Sequence, residues 1–220
     1  MPATARSHAD RGALSGLLAG VSFVGGVAGA TALGEPFPRP GADPAQVRKY
    51  FTQDGGRPAR LSAAGQAISA AALVRFTASV AKLAGRAGLP PPARAAAVAG
   101  GGLAAASLAT SAVTHTTLTL LEEEEDDDRA AALARRAFVA GGPVHGVGFG
   151  VLTGVLALAG LRAGELPRPV AIAGLASAAL GVLSPLYFVW EPAGWLIPAG
   201  RFSGLLVSGI AGVRLARSAR

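Results

Sequence analysis

Long uncharged apolar stretches alternate along this chain with short clusters of charge, proline and glycine. Six stretches are long enough to cross a bilayer as helices, at about 13–34, 62–84, 95–121, 137–161, 169–189 and 194–213. About 20 helical residues cross the roughly 30 Å hydrocarbon core. The pattern predicts an all-α fold, a polytopic transmembrane helical bundle forming one domain over residues 1–220. The first run, flanked by Arg6 and Arg11, carries a possible cleavage box at Ala30-Thr31-Ala32. It is about 21 residues long, longer than the 7–15 of a signal-peptide core, and is read as an uncleaved span.

The breaks between runs carry their own signals. Span 1 ends at Glu35-Pro36-Phe37-Pro38, and a polar outer loop follows over 35–60. Within that loop Asp43-Pro44-Ala45-Gln46 has helix-start chemistry: an N-cap oxygen, Pro at the first position and Gln at the third. Val47, Tyr50 and Phe51 then share one face, and Gly55-Gly56 stops the helix. Such a short amphipathic helix suits the membrane surface, or equally a loop helix packed on the outer ends of the spans. Gly88-Leu89-Pro90-Pro91-Pro92 separates spans 2 and 3. An acidic outer loop at 122–128 precedes span 4, its last Asp residues expected to cap that span and match its dipole.

Composition strengthens the membrane reading. Charged residues are 15% of the 220, apolar types 51%, and Gly adds 31 more. An average soluble domain is roughly 25% charged. The absence of cysteine excludes disulfides, thiol catalysis and Cys-based metal sites. The +7 net charge does not point to nucleic acid, because the basic residues lie between apolar spans. With six spans and an inner N-terminus, the cytoplasmic side holds Arg6, Arg11, Lys82, Arg86, Arg94, Arg162, Arg168, Arg214, Arg217 and Arg220. Only Asp10 and Glu165 oppose these ten, whereas the outer side carries eight basic and eleven acidic residues. Were 62–84 not to cross, the Arg-rich later loops would face outward, against the positive-inside rule. Both termini are therefore expected in the cytoplasm of a bacterial cell membrane. Tyr187, Phe188, Trp190 and Trp195 flank the turn between spans 5 and 6, where an interfacial aromatic belt belongs.

Lipid removes the hydrophobic drive between helices, so small residues must permit close backbone approach. Span 4 carries Gly142, Gly146, Gly150 and Gly154; span 6 carries Gly200, Gly204, Ser208 and Gly212. Both stripes are expected to be buried against neighbouring helices. Span 5 offers Ala173, Ser177 and Gly181, and span 1 offers Gly12, Gly16 and Gly20. The expected partners are the lipid bilayer and, through small-residue faces, a second copy or another membrane protein.

Four intramembrane ionisable residues are candidates for chemistry: Arg75, His115, His145 and Arg201. Such groups are costly in a span and tend to face the bundle interior or a water-filled cavity. His115, His145 and Arg201 fall at one depth in the outer third, with hydroxyls from Ser111, Thr114 and Thr117 and the amide of Gln66 close to that level. One reading is an outward-opening polar cavity with titratable imidazoles and an anion-holding guanidinium. In the other, each His is satisfied by a hydroxyl or carbonyl, and Arg201 snorkels toward Glu191. Two histidines without a nearby Cys or carboxylate fall short of a zinc ligand set, and no catalytic motif occurs. No metal, cofactor or enzymatic activity is expected.

Three stretches carry a family likeness: the exit of span 1 leading into Asp43-Pro44-Ala45-Gln46-Val47-Arg48-Lys49-Tyr50-Phe51; Phe138-Val139-Ala140-Gly141-Gly142-Pro143-Val144-His145; and Gly200-Arg201-Phe202-Ser203-Gly204. In these the chain resembles a group of bacterial, chiefly actinobacterial, multi-pass membrane proteins of unknown function. The likeness implies architecture and no activity; the long acidic run is not expected of that group. The leading functional expectation is a non-enzymatic accessory or interaction component of the cell envelope. The alternatives are a small-molecule or ion transporter with an outward-facing polar cavity, then a membrane-embedded enzyme.

Overall fold

The computed structural model describes residues 10–34, 37–38, 41–121 and 127–217. Its eight α-helices are α1 (Ser15–Leu33), α2 (Pro44–Thr52), α3 (Arg57–Arg86), α4 (Pro91–Leu118), α5 (Asp127–Val139), α6 (His145–Arg162), α7 (Arg168–Leu183) and α8 (Leu196–Arg217). No strand occurs among the described residues. Six helical segments are long and apolar enough to cross a membrane. In spatial order α1 lies beside α3, α3 beside α4, α4 beside α6, α6 beside α7 and α7 beside α8. The last helix returns against α1 and closes the ring, while α6 also touches α3 and α8. Span 4 is consequently the most enclosed.

Local chemistry sets the helix ends. Asp43 caps α2 through its Oδ1, which accepts from the N–H of Ala45 at 2.9 Å and Gln46 at 3.4 Å. Asp54, Gly55 and Gly56 then take three successive positive φ values, 52°, 65° and 68°, which stop α2 and reverse the chain into α3. At the opposite end of the bundle, Gly88 and Gly164 supply the positive-φ residues of the α3–α4 and α6–α7 turns. Pro in the first turn starts α3, α4 and α7. Arg86, Arg162, Arg214 and Arg217 lie in the last turns of α3, α6 and α8, where a cation complements the helix dipole.

Residues 122–126 lie outside the described residues; Asp127 and Asp128 stand in the first turn of α5, at the start of the candidate span Asp127–Arg162. This amphipathic helix runs from Asp127 into span 4, because Ala130, Leu133, Ala134 and Ala137 repeat at helical spacing and Ala and Leu favour a helix. It meets α6 through a π turn at Ala140–Val144 containing Pro143. Helix α2 packs on α5: Val47 and Phe51 are buried with Ala59, Leu118 and Ala130 in a small second core. An ion pair joins Arg48 of α2 to Asp127 of α5. Helix α7 itself ends at Leu183, and a 3-10 turn at Ser184–Phe188 containing Pro185 carries the candidate span on to Phe188.

The main core runs through the bundle with Phe23, Leu73, Phe76, Leu108, Phe149, Leu152, Leu156 and Leu205. The glycine stripes lie between helices. An ideal Cβ on Gly150 would stand 2.8 Å from Ala178 O, one on Gly146 2.6 Å from Ser184 Oγ, and one on Gly154 3.3 Å from Ala178 Cβ. Gly181 faces them across the α6–α7 seam, its ideal Cβ 2.6 Å from Gly146 O. In α8, Gly200 meets Gly181 and Leu180, Gly204 meets Phe149 and Ser177, and Gly212 meets Ala13. Gly142 has only ordinary contacts, the nearest at 3.7 Å. Ala173 faces outward; the buried face of α7 is Ala171, Gly174, Ser177 and Gly181. Ser177 Oγ donates to Gly200 O at 2.7 Å, and Ser184 Oγ donates to Pro143 O at 3.2 Å, tying α7 to both neighbours.

Candidate functional site

The five polar residues singled out from the sequence do not share one site. Arg75 lies on the exposed face of α3, away from the bundle interior. Thr114 is buried and turned back on its own helix, its hydroxyl donating to Thr110 O at 2.8 Å. His145 is 2% exposed, with its Nδ1 3.0 Å from Ala104 O and its ring stacked on Phe149 at 5.5 Å. A carbonyl only accepts, so Nδ1–H is the donor there and the ring is satisfied by packing. Of these five only His115 and Arg201 border a common cavity, of about 180 Å³, and they do so together with Ser111 and Gln66.

Each wall of that cavity has a local origin. Ser62 and Gln66 stand one turn apart on α3, as do Ser111 and His115 on α4, so each pair presents one helix face. Gln66 Nε2 donates to Ser62 Oγ at 3.3 Å and to His115 Nδ1 at 3.2 Å. With its Nδ1 accepting, the neutral His115 ring carries its proton on Nε2. The ring forms a three-membered cluster with Phe37 and Phe51, their centroids at 5.4 Å and 5.6 Å from it. Apolar walls come from Phe23, Val27 and Ala30 of α1, Phe138 of α5 and Ile197 of α8, and Phe37 and Tyr50 cover the outer side.

Arg201 enters from the first turns of α8. It does not snorkel to Glu191; Nη2 donates to the carbonyl of Gly141 and lies 3.5 Å from that of Gly142. The π turn makes this possible. In a regular helix the His145 N–H would bond to Gly141 O, four residues back. Here it bonds to Ala140 O and Gly142 O, and Arg201 takes up the carbonyl it skips. Gly141 also permits the approach of α4, since an ideal Cβ there would stand 2.9 Å from Ser111 Cβ. The guanidinium carbon sits 4.8 Å from the centroid of the Phe23 ring, a cation–π contact.

Two buried atoms lining the cavity lack a hydrogen-bond partner: Arg201 Nε, a donor, and Gln66 Oε1, an acceptor. Among the described residues no carboxylate pairs with Arg201. The site is thus a permanent cation held by carbonyls and an aromatic face, inside a space otherwise lined by neutral groups. Such an arrangement has the chemistry to hold an anion, its guanidinium supplying directed donors. No cluster of three or more His, Asp or Glu suited to a metal occurs among the described residues.

Sequence reading missed Phe23, Ser62 and the Gly141 carbonyl. Gly141-Gly142-Pro143 was the available signal, because a proline beside two glycines inside an apolar span disrupts the regular bonding ladder.

The fold and this interior define the class: a polytopic α-helical membrane protein with a cationic cavity between its helices. No protein-family model, curated protein or solved structure matches the chain.

Proposed function

We propose that this is a non-enzymatic protein of the bacterial cell membrane that binds a small anionic group in an outward-facing cavity, as a carrier or permease does. Both termini lie in the cytoplasm in this reading, supported by the concentration of Arg and Lys at the end of the bundle where the chain starts and stops. The carrying observation is Arg201, a buried guanidinium without an anionic partner among the described residues, at a cavity beside the unpartnered Gln66 Oε1. A charge in that position is expensive unless an occupant compensates it for part of the time. The accessory-component reading draws instead on the small-residue seams, but these are consumed inside the bundle, between α6, α7 and α8. The resemblance to actinobacterial membrane proteins fits either role.

The lack of native cysteine provides the test. A single cysteine replaces Ser62, with an outer control at Lys49, and intact cells receive anionic or cationic methanethiosulfonates. The cysteine at position 62 is expected to react from outside, with the anionic reagent favoured by roughly tenfold from the Arg201 field. Arg201→Gln should remove that preference. If position 49 reacts while position 62 stays inert to both reagents, the outward cavity does not exist. If only the charge preference is absent, the anion assignment falls.

A further inference from the structure

The cavity does not end at Arg201. Along the same pair of helices, α1 and α8, a wholly different surface begins one residue on. Phe23 and Arg201 line the cavity, whereas Val24 and Phe202 line an apolar groove of about 800 Å³ on the outside of the bundle. The Phe23 and Phe202 rings, 6.4 Å apart, form the partition between the two. From Phe202 the groove follows α8 to Arg214, twelve residues or about 18 Å of helix. Gly20, Gly25 and Gly209 lie along it without side chains, and its rim is Val21, 62% exposed, and Leu206, 66% exposed.

We propose that the cavity and groove together form one site for an anionic lipid, the phosphate or carboxylate of its headgroup at Arg201 and one acyl chain along the α1–α8 groove. This rests on the anion-binding reading of the cavity. Three observations converge on a lipid occupant. The headgroup end offers a guanidinium with a free Nε donor and no carboxylate partner among the described residues. The tail end is apolar, faces the bilayer and is long enough to hold a chain. Their order is that of a lipid in the outer leaflet under the proposed topology: α8 runs inward from Leu196, so Arg201 lies outside and the groove runs from it toward the bilayer centre. A water-soluble anion explains the first observation and leaves the groove without a role. The Phe23–Phe202 pair is then the side door through which a headgroup passes from the bilayer.

Thermal unfolding of the purified chain in neutral detergent tests this, with dioctanoyl phosphatidic acid, dioctanoyl phosphatidylcholine and inorganic phosphate as probes. Phosphatidic acid is expected to raise the midpoint, phosphatidylcholine much less. Arg201→Gln should abolish the shift, and Arg201→Lys should retain part of it. Gly25→Phe fills the groove at a position where an ideal Cβ meets nothing within 4 Å, so the bundle itself is undisturbed. It should weaken phosphatidic acid about tenfold, as expected when roughly two methylenes lose apolar contact. If inorganic phosphate stabilises as well as the lipid and Gly25→Phe changes nothing, the ligand is a soluble anion; the lipid inference is then overturned and the anion cavity stands. If no probe shifts the midpoint although the cysteine at position 62 reacts with charge preference, the lipid inference again fails alone. Equal stabilisation by phosphatidylcholine and phosphatidic acid removes Arg201 from the site.

Discussion

His115 and His145 sit on adjacent helices, α4 and α6, and both are almost fully buried, at 5% and 2% exposure. Their surroundings are opposite. His145 belongs to a region where backbones touch: its Nδ1 proton is spent on Ala104 O, its ring lies on Phe149, and the next residue, Gly146, meets Ser184 and Gly181. His115 belongs to a region that the helices leave open. It accepts from Gln66, makes tilted ring contacts with Phe37 and Phe51, and borders a cavity with Arg201. The comparison teaches that depth along a span does not assign a role to a buried polar residue. What decides is how the facing helices meet: Ala104 of α4 and the Phe149 ring occupy the surroundings of His145, whereas beside the Gly141–Ser111 contact the helices leave a cavity between His115 and Arg201.

The largest effects are expected where the seam is closed by backbone. Gly181→Ala or Gly150→Ala places a methyl against a carbonyl oxygen that cannot rotate away, and forces α6 and α7 apart. A loss of about 2–3 kcal/mol is expected, read from the unfolding midpoint in detergent. Gly142→Ala, in the same stripe but with nothing nearer than 3.7 Å, should change stability by less than about 0.5 kcal/mol. Equal costs at positions 142 and 150 would show that the stripe is not the seam described here.

The histidines themselves give an intermediate effect. His145→Ala removes a packed ring and its tie to α4, and about 2 kcal/mol or more of stability should go with it. His115→Ala opens a space that already exists and leaves Gln66 Nε2 its bond to Ser62, so about 1 kcal/mol is expected. His115→Ala should nonetheless alter reagent access at Ser62→Cys, whereas His145→Ala should not. A reversed order in either measurement breaks the comparison.

The smallest effect is expected outside the bilayer. Arg48 and Asp127 join α2 to α5 with side chains 29% and 38% exposed. An ion pair so accessible to water contributes roughly 0–1 kcal/mol, and Asp127→Asn should move the midpoint by no more than that. A larger loss would mean that the outer layer of α2 and α5 is held mainly by this pair, not by Val47, Phe51 and Ala130.

Much of the architecture was legible in the chain. Apolar runs of about 20 residues with little or no charge can satisfy their backbone groups in a bilayer only as helices. Six such runs, the Asp43 cap and the glycine stripes follow from residue type and spacing alone. The extension of span 4 back through α5 was less legible, because Arg129, Arg135 and Arg136 disguise an apolar face of small residues. Least legible was the site. Residue spacing gives depth along each helix and little about which helix lies opposite, so Arg75, Thr114 and His145 read like His115 and Arg201. Only the packing order, with α8 closing against α1 and the π turn releasing the Gly141 carbonyl, separated an arginine exposed on the outside of the bundle from a half-buried one at its cavity. Helix formation is local and is written in short stretches of sequence. A cavity arises from the facing side chains of helices distant in the chain, so the tertiary structure alone decided where it lies and which residues line it.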